Sequence, residues 1–183
     1  AAKAAGWTDI KCIEIAGVQG DATNTARMEG YREGVNEAGG EFLDAETQYA
    51  NATADLAVTA MEGIMSKYPE GVAIICSNND DMALAAARTA KDNPNYAKTI
   101  FLGFDGQKSA VEAVLNGELT MTAAQNNFDI GYKAVETIVK ILNGEADIST
   151  MPIEYTDVTK KYNKTICDDL GLTVPDGYEE IEG

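Results

Sequence analysis

Two stretches of the 183-residue chain repeat one design, an apolar run that ends abruptly in a carboxylate or amide and leads into a helix-forming segment. The first is Val72 to Ser77 running into Asn78-Asn79-Asp80, and the second is Thr99 to Phe104 running into Asp105-Gly106. A continuous β-rich apolar run reads as a strand buried on both faces, the condition of a parallel sheet covered by helices. Residues that follow such strands lie at the carboxyl edge of the sheet, where open α/β sheets bind ligands. Asn carries both donor and acceptor and Asp carries acceptors, so the two satisfy neighbouring hydroxyls of a polyol. The pattern points to a small polar ligand of the sugar type.

The rest of the chain alternates between periods of two and 3.6. Lys11 to Gly17 (KCIEIAG) reads as a strand, and Met28, Tyr31, Val35 and Ala38 mark one face of a helix that Gly39-Gly40 closes. Glu41 to Gln48 reads as a second strand. Leu56, Ala60, Met61, Ile64 and Tyr68 stripe a second helix, which stops before Pro69. Asp80 is the expected N-cap of a third helix, MALAAARTAK, broken by Asn93-Pro94-Asn95. After the strand Thr99 to Phe104 a short helix turns Val111, Val114 and Leu115 inward, and Asn116-Gly117 stops it. Glu118 to Gln125 reads as the fifth strand, Gly131, Val135, Ile138 and Leu142 stripe a further helix, and Pro152 to Val158 reads as extended. Strands alternating with helices of this length predict an α/β fold, doubly wound on a mostly parallel sheet.

Composition removes several classes. Lys plus Arg number 14 against 30 Asp plus Glu, and a net charge of −16 repels phosphate backbones, so nucleic acid is not an expected partner. There is no His, which excludes imidazole catalysis and His-ligated zinc. Of Cys12, Cys76 and Cys167, the first two fall in predicted strands and read as small apolar side chains rather than a disulfide. No apolar run approaches the roughly 18 residues of a membrane span, and no signal peptide is visible. Ala1-Ala2-Lys3-Ala4-Ala5-Gly6 reads as the last turns of a helix, so the chain is expected to be a piece of a longer protein. After Lys164 the acidic residues meet no basic one, which reads as a solvated tail.

The runs GYREGVNEAGG, SNNDDMALAAARTAK, TIFLGFDGQKSAVEAVLNGEL and AAQNNFDIGYKAVETIVKILNGE, with the closing extended segment, resemble the second half of the type I periplasmic sugar-binding proteins of the ribose and galactose group, in order, from about Ile10 to Lys160. The resemblance implies an extracytoplasmic two-lobed receptor, periplasmic or anchored at the surface of a Gram-positive cell, that holds a small sugar or polyol between its lobes and passes it to the permease subunits of an ABC importer. It implies no cofactor. This chain would be the carboxyl-terminal lobe, with residues 1–127 as the sugar-binding domain, 128–150 as a hinge-crossing helical segment and 151–183 as return strand and acidic tail. With the other lobe missing, the stripe of the 128–142 helix is expected to pair with a second chain as a homodimer or to fold back on its own sheet.

Carried over position by position, the resemblance places ligand contacts on Arg27, Asn79, Asp105 and Gln125. Tyr49 and Asn51, after the second strand, are further possible contacts, and Ala52 stands where relatives often carry an aromatic ring. The chemistry is coherent without the family, because Arg27 offers a fork of donors, Asp105 accepts from two vicinal hydroxyls, and the amides of Asn79 and Gln125 do either. Trp7 precedes the first strand and reads as packing. Gly17-Val18-Gln19-Gly20 lacks the GxGxxG spacing of a phosphate loop. No constellation of reacting groups or metal ligands is found, so the chain does not read as an enzyme. A LacI-type repressor's ligand-sensing core shares the expected fold, and a receiver-like phosphotransfer domain would need an acidic pair where Val18-Gln19-Gly20 stand.

Overall fold

The computed structural model describes residues 1–150 together with the backbone of Val158–Tyr162 and Tyr178–Glu180. In chain order the elements are β1 (Lys11–Ala16), α1 (Ala22–Glu37), β2 (Glu41–Phe42), β3 (Gln48–Tyr49), α2 (Ala54–Lys67), β4 (Ile74–Ser77), α3 (Asp80–Ala90), β5 (Ile100–Asp105), α4 (Lys108–Leu115), β6 (Met121–Gln125), α5 (Asn127–Leu142), β7 (Val158–Tyr162) and β8 (Tyr178–Glu180). They build one sheet in the order β2-β1-β4-β5-β6-β7-β8, with β3 also pairing β1. Every pairing is parallel except that of β6 with β7. The mostly parallel, doubly wound sheet expected from the alternation is therefore the observed one.

The apolar side chains of β1 and β4 divide between two cores, as a strand's alternation requires. Cys12 and Cys76 pack with Val35, Phe42, Met28 and Tyr31 under α1. On the other face Ile13, Ile15 and Ile75 meet Met61 and Ile64 of α2, Met82 and Ala86 of α3, and Val114 of α4. Cys12 and Cys76 are buried free thiols with their sulfurs 3.5 Å apart. At the amino edge Trp7 packs with Ala2, Ala73 and Ile100 and donates its indole N–H to the Lys98 carbonyl at 2.8 Å, the packing role expected of it.

Four expectations are corrected. The strand Glu41 to Gln48 is two short strands, because Lys11 faces Glu41 but Ile15 faces Gln48, and the surplus residues Asp44–Glu46 loop out as a 3₁₀ turn. Asp, Ala and Glu are poor strand formers, so the break falls on them. The inward faces of α2 and α4 are rotated towards small residues: Ala57, Met61 and Ile64 are buried while Leu56 is 43% exposed, and Ala110, Ala113 and Val114 are buried while Leu115 is 39% exposed. β6 starts at Met121, because the amides of Glu118 and Leu119 go back to the Ala113 carbonyl to close α4. The N-cap of α3 is Asn79, whose Oδ1 accepts from the Met82 amide at 2.9 Å, while Asp80 is wholly buried.

After β6, α5 lies outside the core. No residue of α5 is buried, and Phe128, Val135 and Leu142 are 78%, 63% and 80% exposed, so the helix does not fold back on its sheet. The expected strand Pro152 to Val158 lies outside the described residues up to Val158, where β7 begins. Most of the acidic tail, with Cys167, also lies outside them, and within it Tyr178–Glu180 forms β8, paired in parallel with β7. Among the described residues no helix is long and apolar enough to cross a membrane.

Candidate functional site

Arg27, Asp105 and Gln125 come from three different elements and meet at the carboxyl edge of the sheet. Asp105 ends β5, Gln125 ends β6 one position beyond the partner of Asp105, and Arg27 projects from α1. The Gln125 amide donates to Asp105 Oδ1 at 2.6 Å, and Arg27 Nη2 lies 3.3 Å from the same oxygen. Arg27 Nη1 donates to the Asn78 carbonyl at 2.8 Å, and its Cζ stands 4.0 Å from the centre of the Phe104 ring. A guanidinium over an aromatic face is held by the ring's quadrupole as well as by its hydrogen bonds. The side chains of Arg27 and Asp105 remain 15% and 22% exposed, so the cluster reaches the surface.

Asp105 has φ +117, a conformation that a residue with a Cβ adopts only where its surroundings compel it. Asn79, the fourth predicted residue, belongs to the same edge, but its side chain shapes backbone. Besides capping α3, its Nδ2 donates to the Ala52 carbonyl at 3.2 Å. That bond ties α3 to the loop after β3, where Asn51 and Ala52 have φ +48 and +60. Tyr49 and Asn51 flank this loop and are exposed.

Beneath the cluster lies a polar layer that local sequence features do not reveal. Asp21 caps α1 through the Asn24 amide at 2.7 Å, and buried Asn24 accepts from the Gly17 amide at 2.6 Å. Buried Asn78 donates to the Asn24 carbonyl at 3.2 Å and to Glu14 Oε1 at 3.4 Å. Glu14 is fully buried and its Oε2 has no hydrogen-bond partner. Burial pushes its carboxyl up to about 7, against the opposing pull of Asn78 and Arg32. The only sign of it in the sequence is one charge inside an otherwise apolar strand. Asp80 accepts from Thr122 Oγ1 at 2.7 Å and from the Gln107 amide at 2.8 Å, and burial pushes its carboxyl up to about 6.

Chemically, the edge offers a carboxylate, a guanidinium and an amide within a few ångströms, a donor and acceptor set suited to vicinal hydroxyls. The groove lined by Ala87, Arg88, Tyr96, Thr99 and Glu118 lies at the opposite, amino edge and contains none of these groups. Among the described residues no group of His, Cys, Asp or Glu is placed to hold a metal ion.

Residues 1–146 match the family described as "Periplasmic binding protein domain". The ribose import binding protein of Escherichia coli (strain K12) is 32% identical over 151 residues, which cover 82% of this chain and 50% of that protein. The D-allose-binding periplasmic protein of the same organism is 31% identical over 125 residues, 68% of this chain and 40% of that one. A periplasmic solute binding protein of an ABC transporter from Actinobacillus succinogenes 130z, solved with bound D-allose, superposes with a TM-score of 0.76 at 23% identity over 87% of this chain and 54% of its own, a likeness of fold. The chain thus spans about half the length of the curated relatives it matches. With the family matched across both the sheet and the Arg27–Asp105–Gln125 edge, the chain belongs to the periplasmic binding protein domain family.

Proposed function

We propose that the protein is an extracytoplasmic solute receptor that binds a small sugar or polyol and delivers it to the permease subunits of an ABC importer, and that this chain supplies one of two lobes enclosing the ligand. The observation that carries the reading is Asp105, held at φ +117 between Arg27 and Gln125 at a sheet edge. Binding proteins for ribose and D-allose among the relatives favour it over a repressor core or a receiver domain, and they make D-ribose the first ligand to try. Arg27, Asp105 and Gln125 contact hydroxyls directly in this reading. Asn79 does so beside its capping duty, and Tyr49 and Asn51 form the outer margin.

The division of the chain follows from the same reading. Residues 1–127 form the sugar-binding domain, residues 128–150 lean on the partner lobe, and residues 151–183 return to the sheet. Deprived of that lobe, the exposed stripe of α5 pairs with a second copy of the chain. Calorimetric titration of the complete protein with D-ribose, D-allose and other sugars tests the function, and heat from one of them that vanishes in Asp105→Ala is the expected result. A complete protein that binds no sugar, or an Asp105→Ala variant that binds as tightly as the parent, would overturn it.

A further inference from the structure

The turn that carries Asp105 is held from behind by residues that face away from the edge. The Gly106 amide donates to Thr122 Oγ1 at 3.1 Å, Thr122 Oγ1 donates to Asp80 Oδ1 at 2.7 Å, and the Gln107 amide donates to Asp80 Oδ2 at 2.8 Å. Asp80 and Thr122 have no solvent exposure at all. Both amides that follow Asp105 are therefore anchored on one buried pair, which joins the start of α3 to β6.

The surroundings are shaped to admit this pair. A Cβ at position 103 would collide with Asp80 Oδ1, so glycine at that point in β5 makes room for the carboxylate. Gly106, at φ +71, lies so close to β6 that a Cβ there would collide with Ala124. The turn is thus pinned from below by Asp80 and Thr122 and from the side by β6. Helix capping does not account for Asp80, since Asn79 caps α3. A carboxylate taken fully out of water is costly unless its oxygens are satisfied, and each oxygen of Asp80 receives a donor tied to this turn.

We propose that Asp80, acting through Thr122 and the amides of Gly106 and Gln107, is a positioning residue that fixes Asp105 in its positive-φ conformation and so aims the Asp105 carboxylate at the ligand. The inference rests on the reading of Asp105 as a sugar contact. A residue in this region of φ needs a neighbourhood that over-determines it, and the Asp80–Thr122 clamp is that neighbourhood. Removing the clamp lets the turn relax towards negative φ, which swings the carboxylate away from Arg27 and Gln125 without touching either.

The test uses the complete protein, calorimetry with D-ribose and D-allose, and thermal melts of every variant. Asp80→Asn and Thr122→Val are each expected to weaken sugar binding by roughly tenfold, with Thr122→Ser restoring it to within roughly threefold because the hydroxyl is kept. In an Asp105→Asn background, Asp80→Asn should change affinity less than about twofold while lowering the melting temperature as much as it does alone. If Asp80→Asn does not fold, the Thr122 variants carried through the same cycle decide the question. Parental affinity in Asp80→Asn and Thr122→Val, with binding lost in Asp105→Ala, would overturn the positioning role and leave the binding reading standing. An affinity loss undiminished in the Asp105→Asn background would overturn it too, by making Asp80 a general support. Parental affinity in Asp105→Ala would bring down the reading and this inference with it.

Discussion

Asp105 combines a charge-assisted contact with a backbone conformation that a Cβ resists. A hydrogen bond to a charged group contributes roughly 1.5 to 3 kcal/mol net, so Asp105→Ala in the complete protein should lose at least ~1.5 kcal/mol of sugar affinity by calorimetry. The strain predicts a second effect, on stability. Backbone strain of this kind costs on the order of 1 to 3 kcal/mol, so Asp105→Gly should be more stable than Asp105→Ala by roughly 1 kcal/mol in urea denaturation while binding no better. Equal midpoints for the two variants would mean the conformation is unstrained. Glu14 gives a prediction in pH. Its carboxyl titrates near 4.5 when unfolded and near 7 in the fold, so between those values the native state binds more protons than the unfolded chain. Stability therefore falls as pH rises through that window and levels off above it, a loss of up to about 3 kcal/mol. Urea midpoints measured from pH 5 to 8 should show the decline in the parent and a flatter profile in Glu14→Gln. Asp80, raised from 3.8 to about 6 by burial, adds a decline confined to the lower part of the range. A Glu14→Gln profile as steep as the parent's at pH 6 to 7 would remove Glu14 as its source.

Among the elements, α5 differs from the other long helices in having no buried residue. Its exposed Val135, Ile138, Val139 and Leu142 form an apolar face that is not buried among the described residues. Burial of a Val or Ile side chain contributes roughly 1.5 to 3 kcal/mol, so the face favours association of the isolated chain. Light scattering should find the isolated chain self-associating with concentration, and Val135→Asp combined with Ile138→Asp should return it to a monomer with an unchanged thermal transition of the sheet. A parent that stays monomeric at every concentration would defeat the idea. By contrast, α3 is fixed at both levels. Asn79 caps it at the carboxyl edge of the sheet, and its alanines allow close contact with α2 and β5.

For the molecule as a whole, the open edge decides what one lobe can do. Arg27 and Asp105 remain partly exposed, so in the proposed receptor each hydrogen bond they would offer a sugar competes with water. Closure of a second lobe would surround the ligand and expel that water. The isolated chain should therefore fold but bind sugar at millimolar strength or weaker, and the complete protein should bind far more tightly. Parallel titrations of the two would check this, and micromolar binding by the isolated chain would refute the half-cleft picture.

Buried strands were legible from the chain alone, because an apolar run announces itself through its own neighbours, and so was the edge position Asp105, which stands where such a run stops, whereas Gln125 was reached through resemblance. Arg27 was reached through resemblance, since a cation in an early helical turn carries no local sign of its target. Periodicity found the helices but misjudged their inward faces at Leu56 and Leu115, because a rotation of one residue depends on the sheet beneath. Asn79 and Asp80 are both good cap formers side by side, and nothing local says which one faces solvent and which the core. That choice is made by Thr122, 42 residues away, just as the buried state of Glu14 involves Asn78, 64 residues away. Local propensity and hydrophobic period are properties of a short window, whereas burial, the partners of a buried charge and the strain of a turn arise only when distant segments share the same space.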